Sequence, residues 1–417
     1  MKATLMPCKL KGTINAIESK SIAHRLLICA ALTEGITKVR CPHSSEDIDA
    51  TINCLKAMGS NITRIGKYYI VPKVTKHGGL SVELDCGESG TTLRLMMCVA
   101  AGLGLCARFR GSKRLFSRPL EPLIDVLTAH GVVISRDEEN RIIQSGKAFG
   151  YDYTITGSVS SQFITGLLLM LPLCGGGKVT VVDDFESKPY VDLTVSALRQ
   201  SDIIVEEEGR TYTVRGRYDL RDCFVEGDWS NAAFFICAAA LQNDLTIKGL
   251  DMDSKQGDRA VTSVLESFGA QITEKDGGIS VKAQTLNATV IDASDIPDLV
   301  PILAVVAAGA QGVTQIKGAK RLRLKESDRL VTVADLINNL GGKAQITDDG
   351  LIIAGSGKLT GGEVDACRDH RIAMSAAIAA TICENPVVIR DAASVSKSYP
   401  DFFTDIVSLG AQVSLED

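Results

Sequence analysis

The sequence predicts an α/β protein assembled from one repeated helix–cap–strand unit. Six times, roughly every 70 residues, an apolar helical stretch runs into a residue able to adopt the left-handed conformation and then into a strand-like run. Most copies continue through a turn into a second β-rich run. A strand-like run also precedes the first copy, while the last copy ends before its second strand. Recurrence at a fixed period reports architecture before any single motif does.

Taken in order, the copies are Leu55 to Gly59 then Ile62, Leu127 to Gly131 then Ile134, Leu198 to Asp202 then Val205, Leu265 to Gly269 then Ile272, Ile337 to Gly341 then Ala344, and Ile406 to Gly410 then Val413. Glycine ends a helix in the left-handed region without a Cβ clash, and Asp202 does so less comfortably. Hairpin signals follow: Gly66-Lys67 before Tyr68 to Val71, Glu208-Gly209-Arg210 before Thr211 to Val214, Asp276-Gly277-Gly278 before Ile279 to Val281, and Asp348-Asp349-Gly350 before Leu351 to Ile353. The run Ala3-Thr4-Leu5-Met6 is therefore expected to supply the strand that the last copy lacks.

A chain of 417 residues accommodates two or three domains. Hydrophobic content of 45% and charged content of 23% are ordinary for a soluble globular protein. The longest apolar runs, Phe163 to Cys174 and Ile372 to Cys383, are too short to span a bilayer and read as buried helices. No signal peptide precedes the first strand, and the twelve cysteines show no CxxC pair, so a cytoplasmic protein with reduced, buried thiols is expected. Neither Cys nor His spacing suggests a metal site. A net charge of −5 argues against nucleic acid or an anionic membrane as partner.

Candidate chemistry lies where helices begin. Ser19-Lys20-Ser21 to Arg25 opens a helix expected over Leu26 to Leu32, and Gly87 to Arg94 opens one running through Ala101. Ser158 to Gln162 opens Phe163 to Leu171, Lys325 to Arg329 opens Leu330 to Leu340, and Asp369-His370-Arg371 opens Ile372 to Thr381. A helix start presents unpaired N–H groups and partial positive charge, which suits an anion. Lysine and arginine add full charge, and arginine grips a carboxylate or phosphate with two parallel bonds. Each string also has a plain structural reading: Ser160-Ser161 and Asp298 as helix caps, Lys20 and Arg25 as a solvated face, Arg118 as the residue before a helix that starts at Pro119, Lys325 to Arg329 as a surface charge network. Several cationic helix starts on one face would need a polyanionic partner.

The strings Ser19-Lys20-Ser21…Arg25, Gly90-Thr91…Arg94, Arg118-Pro119, Gly157 to Phe163, Ser187-Lys188-Pro189-Tyr190, Ile296-Pro297-Asp298, Leu324 to Arg329, Asp369 to Met374, and Lys397 with Pro400 to Phe403 resemble, in order and spacing, the 5-enolpyruvylshikimate-3-phosphate synthase family. Lys325-Glu326-Ser327-Asp328-Arg329 and Gly157-Ser158-Val159-Ser160-Ser161-Gln162-Phe163 are the most specific. The resemblance implies a two-domain inverse α/β barrel-like fold of six βαβαββ units, three per domain about a pseudo-threefold axis, with the active site in an interdomain cleft that closes on substrates. The domains would be residues 1–18 with 227–417, and 19–226.

It further implies transfer of the enolpyruvyl group of phosphoenolpyruvate to the 5-hydroxyl of shikimate 3-phosphate by a monomer without cofactor or metal. Lys20, Ser21, Arg25, Ser160, Ser161, Gln162, Ser187, Asp298 and Lys325 would bind shikimate 3-phosphate. Lys20, Gly90, Arg118, Gln162, Arg329, Arg371 and Lys397 would bind phosphoenolpyruvate. Asp298 would accept the hydroxyl proton, Glu326 would protonate the methylene carbon, and Lys20 would sit between the substrates. Glyphosate, an anion competing with phosphoenolpyruvate, would inhibit through the Gly90-Thr91 region. Two positions depart from common members: Glu88 stands where many carry Asn, and Arg321 where some carry Asn. The sister family that acts on UDP-N-acetylglucosamine would carry a reactive cysteine in the loop Gly111 to Ser117, which has none; Cys106 upstream reads as a buried thiol. A non-catalytic binding protein on the same scaffold is the remaining alternative.

Overall fold

Thirteen helices are formed among the residues described by a computed structural model, which are 1–275, 277–282 and 285–416. They are α1 (Lys20–Leu32), α2 (Glu46–Ala57), α3 (Gly90–Leu103), α4 (Lys113–Ser117), α5 (Glu121–Ala129), α6 (Ser161–Met170), α7 (Lys188–Gln200), α8 (Trp229–Ala240), α9 (Val261–Ser267), α10 (Val300–Gly309), α11 (Arg329–Asn339), α12 (His370–Ala379) and α13 (Phe402–Ser408). The six repeated strings end α2, α5, α7, α9, α11 and α13. In each, the cap residue takes positive φ: +97° at Gly59, +87° at Gly131, +60° at Asp202, +96° at Gly269, +84° at Gly341 and +101° at Gly410. A strand starts within four residues of every one, at Thr63, Val133, Ile204, Gln271, Lys343 and Val413. Asp276 of the third hairpin signal and the terminal Asp417 lie outside the described residues.

The strands form six four-stranded sheets of one pattern: a parallel pair, then two antiparallel pairings. In one, Ser81–Asp85 pairs parallel with Cys106–Arg110, which pairs antiparallel with Ile142–Ser145, and that with Val133–Arg136. The N-terminal strand Lys2–Leu5 lies between Val387–Arg390 and Val413–Glu416, antiparallel to both, with Ala3 opposite Ile389 and Leu415. A second strand from the same segment, Lys11–Asn15, pairs parallel with Asp244–Lys248. The sequence reading missed it because Lys-Gly-Thr-Ile-Asn has no apolar alternation; only Ile14 is buried.

Contacts divide the chain into two compact units, Met1–Ser19 with Glu226–Asp417 and Lys20–Val225. The chain passes between the units at Ser19–Lys20 and at Val225–Glu226. Ser19 stays with the C-terminal segment because its N–H donates to Glu226 O at 2.8 Å and its hydroxyl to Gln256 Oε1 at 3.1 Å. Each unit has three of the sheets and its own apolar core. Helices α8, α10 and α12 in one unit, and α3 and α6 in the other, pack on one another and are apolar on nearly every face, as burial all round requires.

Three expectations need correction. The first helix starts at Lys20, six residues before Leu26, because the polar His24 and Arg25 are themselves buried and do not end the apolar packing. The helix after Arg118 starts at Glu121, so Arg118 is the residue that closes α4 and does not precede a proline-started helix. The thiols are not uniformly buried: Cys106 is half-buried on its strand, and Cys367 is exposed in the turn before α12.

Candidate active site

In the unit Lys20–Val225, the assigned residues sit at or beside the N-terminal ends of α1, α3, α6 and α7. Lys20 opens α1, and its Nζ lies 2.8 Å from Asp47 Oδ2 on α2. Arg25, one turn further and 3% exposed, donates from Nε to Thr194 Oγ1 at 2.9 Å, from Nη2 to Tyr190 O at 2.8 Å and from Nη1 to Ser21 O at 2.5 Å. Burial pulls its guanidinium down to about 10, with Tyr190 and Cys29 opposing. Gly90 is the first residue of α3. A Cβ there would stand 2.8 Å from Nη1 of both Arg118 and Arg94, so glycine is what lets two guanidinium heads meet at this helix start. Arg94 Nη1 donates to Gln162 Oε1 at 2.5 Å, and Gln162 Nε2 to Thr91 Oγ1 at 2.7 Å. The start of α3 is thereby tied to the start of α6.

Ser160 does cap α6, its hydroxyl accepting from Gln162 N at 3.3 Å, so the structural reading of that residue holds. Ser161 and Ser187 are buried. Ser187 precedes α7 at φ +55°, a left-handed conformation that costs a non-glycine residue of order 1 kcal/mol or more.

In the unit containing Glu226–Asp417, one network joins five assigned residues. Arg329, 1% exposed at the start of α11, meets three carboxylates. Its Nε donates to Asp369 Oδ2, its Nη1 to Asp298 Oδ1 and its Nη2 to Glu326 Oε2, each at 2.7 Å. Burial works against its charge, but Asp369, Glu326 and Asp298 outweigh it and hold the guanidinium well above its ordinary value. Asp298 also accepts from Lys325 Nζ at 3.3 Å and from Arg371 at 3.2 Å through both Oδ2 and the main-chain oxygen. Burial lowers the pKa of Lys325, with Asp298 opposing. Asp369 caps α12 by accepting from Arg371 N at 3.0 Å. Lys397, 8% exposed, donates to Arg368 O at 2.6 Å, in the turn before the same helix.

The structure thus brings Asp298, Lys325, Glu326, Arg329 and Arg371 into one hydrogen-bonded set, with Lys397 nearby through Arg368. In the other unit it joins Gly90, Arg118 and Gln162 through Arg94. Three participants had no assigned role from sequence. Asp47 gives no motif signal beyond an acidic helix start. Arg94 and Asp369 stood inside quoted strings, and Asp369 stands out only once it is seen as the third carboxylate on Arg329. Such an arrangement is a store of fixed charge: cations suited to anions, and two carboxylates, Asp298 and Glu326, held on one guanidinium, a chemistry capable of proton transfer. Among the described residues no group of three or more His, Cys, Asp or Glu side chains is arranged to hold a metal ion, and no helix is long and apolar enough to cross a membrane.

The chain is similar to known proteins along its whole length. A family model described as EPSP synthase (3-phosphoshikimate 1-carboxyvinyltransferase) matches residues 6–406. The 3-phosphoshikimate 1-carboxyvinyltransferase of Clostridium beijerinckii is 39% identical over 420 residues, covering 97% of each protein. That of Clostridium perfringens is 38% identical over 418 residues, covering 98% of each. EPSP synthase from Acinetobacter baumannii has a solved structure that matches with a TM-score of 0.81 at 26% identity over 100% of both chains. The enolpyruvyl transferase NikO from Streptomyces tendae matches with a TM-score of 0.78 at 19% identity over 99% of this chain and 98% of that one, which shows the fold alone. With six like sheets, the motif-bearing helix starts and these full-length matches in hand, the chain belongs to the EPSP synthase (3-phosphoshikimate 1-carboxyvinyltransferase) family.

Proposed function

We infer that this chain transfers the enolpyruvyl group of phosphoenolpyruvate to the 5-hydroxyl of shikimate 3-phosphate and releases phosphate, a step of the shikimate pathway toward chorismate and the aromatic amino acids. The observation that carries the reading is the pairing of Asp298 and Glu326 on Arg329, inside a chain that matches the family over residues 6–406.

The residue roles are proposals from the motif match, supported by the contacts above. In the unit Lys20–Val225, Ser160, Ser161 and Ser187 take the shikimate phosphate, Ser21 and Arg25 the carboxylate, and Gln162 lies along the ring. Gly90 and Arg118 meet phosphoenolpyruvate, and Lys20 touches both substrates. In the other unit, Lys325 joins the shikimate phosphate, and Arg329, Arg371 and Lys397 hold phosphoenolpyruvate. Asp298 takes the proton of the 5-hydroxyl as its oxygen attacks C2 of phosphoenolpyruvate, and Glu326 delivers a proton to C3. The resulting tetrahedral intermediate loses a C3 proton and expels phosphate, leaving the enol ether. The cations beside both carboxylates support this reading because they can hold the phosphate and carboxylate groups of the substrates next to the two proton-transfer groups.

The two units, near residues 1–18 with 227–417 and 19–226, would be the enzyme's domains. A cytoplasmic monomer without cofactor, nucleic-acid or membrane partner is proposed from the net charge of −5 and the scattered cysteines. Phosphate release from phosphoenolpyruvate, measured separately with shikimate 3-phosphate and with UDP-N-acetylglucosamine, tests the function. Release with the first acceptor alone is expected; release with the second alone would overturn it.

A further inference from the structure

Two buried hydroxyls outside the assigned set hold the guanidinium of Arg25. Thr194 on α7 and Thr165 on α6 have no exposed surface, and α7 packs on both α1 and α6. Arg25 Nε donates to Thr194 Oγ1 at 2.9 Å, and Arg25 Nη2 donates to Thr165 Oγ1 at 3.4 Å. The two threonine oxygens lie 2.9 Å apart, and Thr194 donates its own proton to Tyr190 O, one turn back on α7, at 3.2 Å. Thr165 is therefore the donor between the two hydroxyls. The lone pairs of Thr194 are then filled by Arg25 Nε–H and by the Thr165 hydroxyl, so its capacity is used up.

The same count can be made for Arg25. A guanidinium carries five N–H groups. Among the described residues, four of those on Arg25 are directed at Thr194, Thr165, Tyr190 O and Ser21 O, which leaves one on Nη1. The paired bonds that arginine can give a carboxylate would need one of these contacts to be given up. We propose that Thr194, seated by Thr165, is a positioning residue for substrate recognition: it fixes the Nε edge of Arg25, so that the single N–H left on Nη1 meets the carboxylate of shikimate 3-phosphate. The proposal rests on the reading of Arg25 as the partner of that carboxylate. Burial lowers the guanidinium to about 10, so it is still charged at neutral pH. A buried charged donor without an acceptor is costly, and without the Thr194 hydroxyl the head must turn to find another, taking Nη1 with it.

The test is calorimetric binding of two ligands to variants of the full chain, with thermal stability measured alongside. The ligands are shikimate 3-phosphate and its analogue with hydrogen in place of the C1 carboxylate. Thr194→Val keeps the shape and removes the hydroxyl. It should weaken shikimate 3-phosphate about 5- to 30-fold and change the analogue by no more than about twofold. Thr194→Ser restores the hydroxyl and should recover most of the affinity. Thr165→Val leaves the Nε bond in place and should weaken shikimate 3-phosphate about 2- to 5-fold, again sparing the analogue. Equal weakening of both ligands in either valine variant, parental affinity for shikimate 3-phosphate in Thr194→Val, or no recovery in Thr194→Ser would each overturn the proposal. If Thr194→Val does not fold, parental affinity in Thr165→Val overturns it. Arg25→Gln separates it from the reading beneath it. A parental ratio of the two affinities in Arg25→Gln, or a parent that does not bind shikimate 3-phosphate, removes the carboxylate assignment and this inference together. A collapsed ratio in Arg25→Gln beside a parental ratio in Thr194→Val removes this inference alone.

Discussion

At the scale of single residues, Arg329 gathers three carboxylates. Its guanidinium positions one carboxylate for each proposed proton transfer, and Asp369 holds it in place from a third side. Replacing either reacting carboxylate with its amide keeps the hydrogen-bonding shape and removes the proton transfer. Asp298→Asn and Glu326→Gln should each lower turnover roughly 10²- to 10⁴-fold. Their difference lies in partial reactions. With the parent, solvent deuterium should enter the methylene group of unreacted phosphoenolpyruvate through reversible addition, and much more slowly with Glu326→Gln. Parental exchange in that variant would take the carbon acid away from Glu326 and leave Lys20 as the candidate. Gly90 makes a second residue-scale case. Its missing Cβ is the space into which Arg118 and Arg94 reach, at 2.8 Å from the place a methyl would take. Gly90→Ala must displace both heads, so KM for phosphoenolpyruvate should rise. Inhibition by glyphosate should weaken more, because the slightly longer inhibitor has less room to shift. Equal inhibition of parent and variant would place Gly90 outside that pocket.

At the scale of elements, a chain of buried hydroxyls joins three helices of the unit Lys20–Val225. His24 Nδ1 meets Thr51 Oγ1 at 2.7 Å, Thr51 meets Thr92 Oγ1 at 2.8 Å, and Thr92 donates to Ser89 Oγ at 2.9 Å. Ser89 is the cap of α3, so α1, α2 and the start of α3 share one polar seam. Burial, helped by Lys20 and Arg25, holds His24 well below its ordinary value of 6.5. The sign follows directly. Below about pH 6.5 the unfolded chain binds a proton there that the folded chain refuses, so folding stability falls as pH drops below that value and is fully present above it. His24→Asn should cost about 1–3 kcal/mol at pH 7.5 through the altered seam. It should also lose less stability than the parent between pH 7.5 and 5.5, as read by thermal unfolding at each pH. An unchanged pH dependence would mean that His24 takes its proton in the fold as readily as in the unfolded chain.

At the scale of the molecule, the N-terminal segment binds its unit by topology. Lys2–Leu5 is an interior strand, flanked on both sides, and the segment also buries Leu5 and Leu10 completely. Deleting residues 1–12 should bare two strand edges and remove two leucines, each contributing about 1.5–3 kcal/mol of burial. It also takes part of the parallel strand Lys11–Asn15. A lower unfolding temperature, with aggregation through the bared edges, is expected in calorimetry; an unchanged transition would contradict this pairing.

By itself, the sequence determined the class and the repeat. Left-handed caps are local chemistry, and all six were legible because glycine, or less comfortably an aspartate, is favoured at positive φ whatever packs around it. The strings that carry Lys325 to Arg329 and Ser158 to Gln162 were legible for the same reason: their residues act where a helix begins, a position the chain itself marks. Only the tertiary structure decided which of these ends meet. Arg329 reaches Asp369 across 40 residues and Asp298 across 31. Arg94 reaches Gln162 across 68. No periodicity encodes those separations, because they are set by how whole helices pack. The strand Lys11–Asn15 was hidden likewise, its conformation being imposed by the partner Asp244–Lys248 rather than by its own side chains.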